Sequence, residues 1–179
     1  MKEETIESKL IFEGKFVRLR IDKIKLNNGS IIEREIVERM SGVSILPVNY
    51  KNEFLLIESY RHAINQTCLE LPGGAVSSID NNTREAAQRE LFEETGFKAI
   101  NLDLLFETKG SGIVIHNVSY YLATKLYTPL EKRFVDEQEN IKVIPTSVDK
   151  ALKMARNAEF RNPAFSLMVI MAAEKLYGF

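Results

Sequence analysis

"LPGGAVSSIDNNTREAAQRELFEETGF", residues Leu71–Phe97, holds a glycine pair, a polar loop and a helix pattern. Asn82 is placed to cap a helix, and Glu85 three residues later completes a box-like pattern. Gly96 stands where a left-handed C-terminal cap is wanted, and Phe97 can close over the last turn. The spacing therefore predicts a helix over Thr83–Thr95. On it Glu90, Glu93 and Glu94 fall at i, i+3 and i+4 on one face, while Leu91 points away toward a core. Arg89 can pair with a neighbouring carboxylate or hold the preceding loop. Negative charge at this end opposes the helix dipole, and like charges at i,i+4 repel, at roughly a few tenths of a kcal/mol each. A divalent cation would offset that repulsion. Hard cations such as Mg²⁺ take carboxylate oxygens and share their shell with substrate phosphates. The Gly73–Gly74 pair permits close backbone approach.

Outward from this stretch, the 179 residues suit one ordinary domain with a small appendage. Hydrophobic residues at 45% allow a packed core, and a net charge of −1 with no long Lys/Arg run argues against a nucleic-acid binder. Cys68 is the only cysteine, so no internal disulfide forms and a reducing cytoplasm is the expected compartment. The acidic N-terminus has no apolar stretch of signal-peptide type. The most apolar run, Phe165–Ala173, is too short to span a bilayer, so no membrane partner is expected.

Val17, Leu19 and Ile21 share one strand face, and Ile24 and Leu26 continue after a phase slip near Asp22–Lys23, which predicts a bulge or strong twist there. Asn27–Gly29 is a hairpin signal, with a returning strand in "SIIEREIVE". The first forty or so residues read as a small antiparallel unit. Strands are predicted at Val43–Val48, with Pro47 limiting its ladder, and at Phe54–Tyr60 after a turn at Tyr50–Asn52. Further strands are expected at Ile100–Glu107, Val114–Ala123 and Ile141–Ile144. Ser147 caps one later helix, and Asn162–Pro163 starts another that runs to Leu176, with Phe165, Met168, Met171 and Ala172 mostly buried.

Arg89, Glu90, Leu91, Phe92, Glu93, Glu94, Thr95, Gly96 and Phe97 resemble, in order, the signature box of the Nudix hydrolases. The resemblance implies a Nudix-type α/β/α sandwich with a mixed sheet, of class α+β, over residues 42–179. The N-terminal β unit, residues 1–41, precedes it. It also implies that Glu90 and Glu94 are the principal metal ligands, with Glu93 as an additional ligand or a supporting group. Arg89 and Gly96 shape the box. Mg²⁺ is the implied cofactor, with Mn²⁺ as a substitute. Counted back from Glu90, Gly74 lies one residue too far from the box, so the loop carries an insertion. The upstream acid of the box is then Asp80 or Asn81, depending on where the gap falls.

The order of elements, the approach "YRHAINQTCLELPGG" and the closing helices are similar to the ADP-ribose pyrophosphatase branch. That likeness implies a homodimer in which the N-terminal unit swaps and helps form the substrate site. Arg34 in "REIVE", Arg61 and Glu70 then contact substrate, and Gly73 and Gly74 let backbone approach its phosphates. In "VDEQENIKV" Glu139 is the implied general base, with Glu137 as the alternative. The implied reaction is hydrolysis of the pyrophosphate bond of a nucleoside diphosphate derivative, foremost ADP-ribose to AMP and ribose 5-phosphate. "KGSGIVIHNVSYYLA" departs from the branch: Gly112 is kept, His116 stands where an acid would fall, and Ile113–Ile115 make the loop apolar. Three other readings stay open. They are a pyrophosphatase for another nucleotide sugar or a dinucleotide, a non-catalytic nucleotide sensor, and an isomerase that would need Cys68 as an acid/base.

Overall fold

The computed structural model describes residues 3–130 and 141–178. In chain order the elements are β1 (Glu4–Glu13), β2 (Val17–Lys25), β3 (Ile31–Arg39), β4 (Gly42–Pro47), β5 (Glu53–Arg61), β6 (Gln66–Glu70), β7 (Gly73–Ala75), α1 (Thr83–Thr95), β8 (Lys98–Thr108), β9 (Val114–Ile115), β10 (Val118–Tyr127), β11 (Lys142–Ser147), α2 (Val148–Arg156) and α3 (Pro163–Tyr177). The fold is α+β. Two compact units divide it: one takes the chain through Ser41 together with Thr108–Val118, and the other takes Gly42–Glu107 and the chain from Ser119 onward. Among the described residues no helix is long and apolar enough to cross a membrane.

In the first unit β1, β2 and β3 form an antiparallel meander. Gly29 takes φ 84° in the turn, and its N–H reaches the Leu26 carbonyl at 2.9 Å, which is why the Asn-Asn-Gly signal works as a hairpin. The bulge expected near Asp22–Lys23 is not in β2. Its pairing with β3 runs unbroken from Val17↔Arg39 to Lys25↔Ile31. The irregularities sit on β1 instead, between Thr5 and Glu7 and between Leu10 and Phe12. The change of apolar phase comes from Asp22, a carboxylate 6% exposed on the same strand face as Ile24. Asp22 accepts from the Ser8 hydroxyl at 2.6 Å and pairs with Arg20 at 3.2 Å, and Arg20 also reaches Glu38 at 2.7 Å. A buried carboxylate is tolerable only with such partners.

The strand expected over Val114–Ala123 is two strands. β9 lies parallel to β3, pairing Val37 with Val114 and Glu38 with Ile115, whereas β10 belongs to a sheet of the second unit. The break has a steric cause. A Cβ on Gly110 would stand 2.6 Å from the His116 backbone nitrogen and from the Ile115 Cα, so the chain folds back tightly on itself here. The Asn117 side chain accepts from the Gly110 N–H at 3.4 Å.

The second unit carries two sheets, ordered β7-β4-β10-β8 and β11-β5-β6. β4 is buried along its whole length, as expected of a strand flanked on both sides. α1 packs against β4 and β7, while α2 packs on β5, β11 and α3. The core under α1 joins Ala86, Ala87 and Leu91 to Val43, Ile45, Leu102 and Tyr121. The three helices start and end close to where their caps predict. Asn82, Ser147 and Asn162 each accept a backbone N–H at the start. On α3 the fully buried positions are Met168, Val169, Ala172 and Ala173, while Phe165 and Met171 are half-buried.

Candidate active site

α1 is positioned by its buried face. Leu91 is completely enclosed, and that fixes the rotation of the helix and turns Glu90 and Glu94 toward Gly73 and Gly74 at the start of β7. Gly96, at φ 78°, ends the helix with its N–H on the Phe92 carbonyl at 2.9 Å. Glu94 is only 8% exposed, and its Oε2 accepts the Gly73 backbone N–H at 2.7 Å. Glu90 lies against Gly74, where a Cβ would stand 2.6 Å from Oε2 of Glu90. A Cβ on Gly73 would stand 2.9 Å from the Ser44 Cα. The glycine pair is therefore a place where α1 carboxylates, the β7 backbone and β4 all meet with no room for side chains.

Arg89 does both of the things its position allowed. Nη1 donates to Glu90 and to Glu93, each at 2.8 Å. Nε and Nη2 grip Asp80 at 3.0 and 2.9 Å, and Nη2 also reaches the Ala75 carbonyl at 3.0 Å. Glu90 and Glu93 thus already share a guanidinium, which relieves part of their repulsion. This arrangement also distinguishes the two candidates for the upstream acid by their contacts. Asp80, whose side chain is 4% exposed, is the one that meets Arg89. Asn81 instead donates to Glu85 at 2.7 Å on the surface. The Arg89 hydrogen bonds, aided by two from Ser77, hold the Asp80 carboxyl down at about 2, and Asp80 in turn raises Arg89. Ser77, which the sequence reading passed over, donates to Asp80 through its N–H at 2.8 Å and its hydroxyl at 2.9 Å. Its spacing of three residues before an aspartate is a turn signal that could have pointed to it.

The other expected residues are distributed as follows. On the β5–β6 pair Arg61 stands opposite Gln66 and Glu70 opposite Ile57, and the Arg61 side chain reaches along the hairpin, Nε donating to Glu70 at 2.8 Å and Nη2 bonded to the same oxygen. Ser59 donates to that carboxylate at 3.4 Å. The Glu70 contact raises the Arg61 pKa, and the Glu94 charge adds to the effect, so this ion pair lies within electrostatic reach of α1. Arg34 lies in the first unit, exposed and paired with Glu3 at 3.2 Å. Glu137 and Glu139 fall outside the described residues.

A hard divalent cation suits the donor chemistry here: carboxylate oxygens on one helical face, beside backbone stripped of side chains. Among the described residues no three His, Cys, Asp or Glu side chains converge as they stand, and Arg89 bridges Glu90 and Glu93. A cation at this face would take carboxylate oxygens that Arg89 now shares, while Asp80 and Ala75 keep their hold on the guanidinium.

The NUDIX domain profile matches residues 38–166. The chain is 30% identical to the ADP-ribose pyrophosphatase of Bacillus subtilis (strain 168) over 179 residues, covering 98% of this chain and 96% of that one. It is also 30% identical to the methanol dehydrogenase activator of Bacillus methanolicus over 153 residues, covering 85% and 82%. In fold it is similar to a solved structure described as an ADP compounds hydrolase, with a TM-score of 0.85 at 20% identity over 99% of this chain and 96% of that one. Nudix hydrolases generally use divalent cations, in keeping with the acidic face of α1. The chain belongs to the Nudix hydrolase family and is a pyrophosphohydrolase of nucleotide pyrophosphates.

Proposed function

We propose that this chain hydrolyses ADP-ribose to AMP and ribose 5-phosphate, using Mg²⁺, with Mn²⁺ able to replace it. The observation that carries the reading is the seating of Glu94 on the Gly73 N–H, with Glu90 against Gly74. It sets two carboxylates beside a glycine backbone that a phosphate chain can approach. Full-length similarity to an ADP-ribose pyrophosphatase supports the substrate.

Glu90 and Glu94, with Glu93, are the residues that hold the cation. The bound cation supplies neutralisation of the pyrophosphate and stabilisation of the leaving phosphate. Arg89, tied to Asp80 and Ala75, keeps Glu90 and Glu93 oriented. Arg61 exchanges Glu70 for an anionic or hydroxyl oxygen of the substrate, and Glu70 is then left to accept from a substrate hydroxyl or amine. Glu139, or Glu137 in its place, draws the proton from a water aimed in line at phosphorus.

The protein acts as a cytoplasmic homodimer in which the N-terminal unit of one copy brings Arg34 to the other's substrate. The exposure of the whole of β1, with Ile6 and Phe12 more than half exposed, supports a partner surface there. A hydrolysis panel with added Mg²⁺ tests the reading: ADP-ribose, other sugar nucleotides, NADH and a dinucleotide polyphosphate, with products separated by chromatography. AMP and ribose 5-phosphate should form from ADP-ribose well ahead of the rest. Faster turnover of another compound would overturn the substrate assignment, and a monomer in sedimentation would remove the swapped role of Arg34.

A further inference from the structure

α1 touches all four strands of the sheet ordered β7-β4-β10-β8, and it holds the two edges of that sheet with different side chains. At the β7 edge Glu94 accepts the Gly73 N–H, and Glu90 lies against Gly74. At the β8 edge Gln88 makes a two-way amide bridge to a single residue. Its Nε2 donates to the Ala99 carbonyl at 2.9 Å, and its Oε1 accepts the Ala99 N–H at 3.2 Å. The N–H and C=O of one strand residue point to the same side, so this amide takes the place of the strand neighbour that an edge lacks. One turn earlier on the helix, Arg84 Nη1 donates to the Leu102 carbonyl at 2.8 Å. Between the edges, the Thr83 and Tyr121 hydroxyls are hydrogen-bonded at 2.7 Å.

Helical spacing sets these contacts on opposite flanks of the buried stripe. Arg84 and Gln88, at i and i+4, fall on one flank and Glu90 on the other, while Ala87 and Leu91 lie between them and face the core. Apolar packing keeps the helix on the sheet but resists rolling weakly, because it has no direction. A hydrogen-bonded amide on one flank does resist it. Side-chain ends lie about 5–6 Å from a helix axis, so a roll of about 10° carries a carboxylate about 1 Å. A displacement of that size can cost about a hundredfold in rate.

We propose that Gln88 is a positioning residue for the metal-binding carboxylates: its amide bridge to Ala99 fixes the roll of α1 and so seats Glu90 and Glu94 against the Gly73–Gly74 backbone at the opposite edge of the sheet. The effect on turnover rests on the pyrophosphatase reading, whereas the seating of α1 can be measured without substrate.

Gln88→Met keeps the length and helix propensity of the side chain and removes both hydrogen bonds. In amide hydrogen exchange followed by NMR, Gly73 should exchange about tenfold faster than in wild type once its Glu94 partner shifts. The Leu56 amide, in the middle strand of the other sheet, reports global opening, and the Gly73 rate is read relative to it. With ADP-ribose, kcat should fall about tenfold or more and the Mg²⁺ concentration for half-maximal activity should rise, while KM stays within about twofold. Gln88→Glu keeps the acceptor for the Ala99 N–H but turns a carboxylate on the Ala99 carbonyl, and should change the same quantities. Leu152→Ala is the control for destabilisation: it lies on α2, which packs on β5, β11 and α3. At a temperature where it stays folded, its kcat and Mg²⁺ requirement should match wild type. An unchanged Gly73-to-Leu56 exchange ratio in Gln88→Met, or an equal loss of kcat in folded Leu152→Ala, would overturn the role of Gln88. If wild type hydrolyses no nucleotide, the pyrophosphatase reading fails while the exchange ratio still decides whether Gln88 seats α1.

Discussion

Asp80→Asn isolates the contact that ties the loop to α1. The substitution keeps the shape and leaves an acceptor for Ser77, but removes the negative charge facing Arg89. Asp80 titrates at about 2 in the folded chain against 3.8 as its ordinary value, a difference worth about 2 kcal/mol. Severing a wholly buried pair costs about 3–5 kcal/mol, but the Arg89 side chain is 22% exposed and keeps other partners, so the lower figure applies. For a chain of this size about 2 kcal/mol lowers the melting temperature by roughly 4–8 °C. Because the folded value lies below the unfolded one, this stabilisation is complete above pH 3.8 and disappears as pH falls through about 2. Urea titrations at neutral pH and at successively lower pH should therefore show a gap between wild type and Asp80→Asn that closes with acid. Asn81→Ala, which loses only a surface contact to Glu85, should cost a few tenths of a kcal/mol at most. Released from Asp80, Arg89 also leans further onto Glu90 and Glu93 and competes with a cation, so the Mg²⁺ concentration for half-maximal activity should rise about tenfold. A stability change below about 0.5 kcal/mol at neutral pH, or a gap that does not narrow in acid, would refute the assignment of Asp80 as the partner of Arg89.

The remaining predictions separate chemistry from folding. Glu94→Gln keeps an acceptor for the Gly73 N–H, so its melting temperature should stay near wild type while kcat falls about a hundredfold or more, since even a supporting group of a metal ligand is worth 10–100-fold. Gly74→Ala should fold but lose about tenfold or more in activity, because its methyl group displaces the Glu90 carboxylate. Gly73→Ala meets the β4 backbone instead and should lower the yield of folded protein, as read by circular dichroism and thermal melting. Leu91→Ala, at a fully enclosed position under α1, should cost about 2–5 kcal/mol in urea unfolding.

Much of the chemistry was legible within the sequence of α1. Cap residues, helical spacing and the apolar position of Leu91 all act within a few residues, so Thr83–Thr95 and its acidic face could be drawn from local rules. The hairpin at Asn27–Gly29 and the starts of α2 and α3 are local in the same sense. β1 was not legible as a strand, since charged and apolar residues mix along it and all ten are exposed. Asp22 imitated a register slip because a buried carboxylate and a bulge both interrupt alternation, and only its partners distinguish them.

The amino-acid sequence by itself determined the family, the carboxylate face and the helix that presents it, because each is a short-range consequence of residue type and spacing. Tertiary structure alone decided which acid meets Arg89. Asp80 and Asn81 are adjacent in the chain, and the path of the loop turns one inward to a guanidinium and leaves the other at the surface. It also decided that Arg61 and Glu70 hold each other across two strands, and that Val114–Ile115 pairs with β3 in the first unit. These outcomes depend on which distant backbone segments close upon one another, and no window of neighbouring residues contains that information.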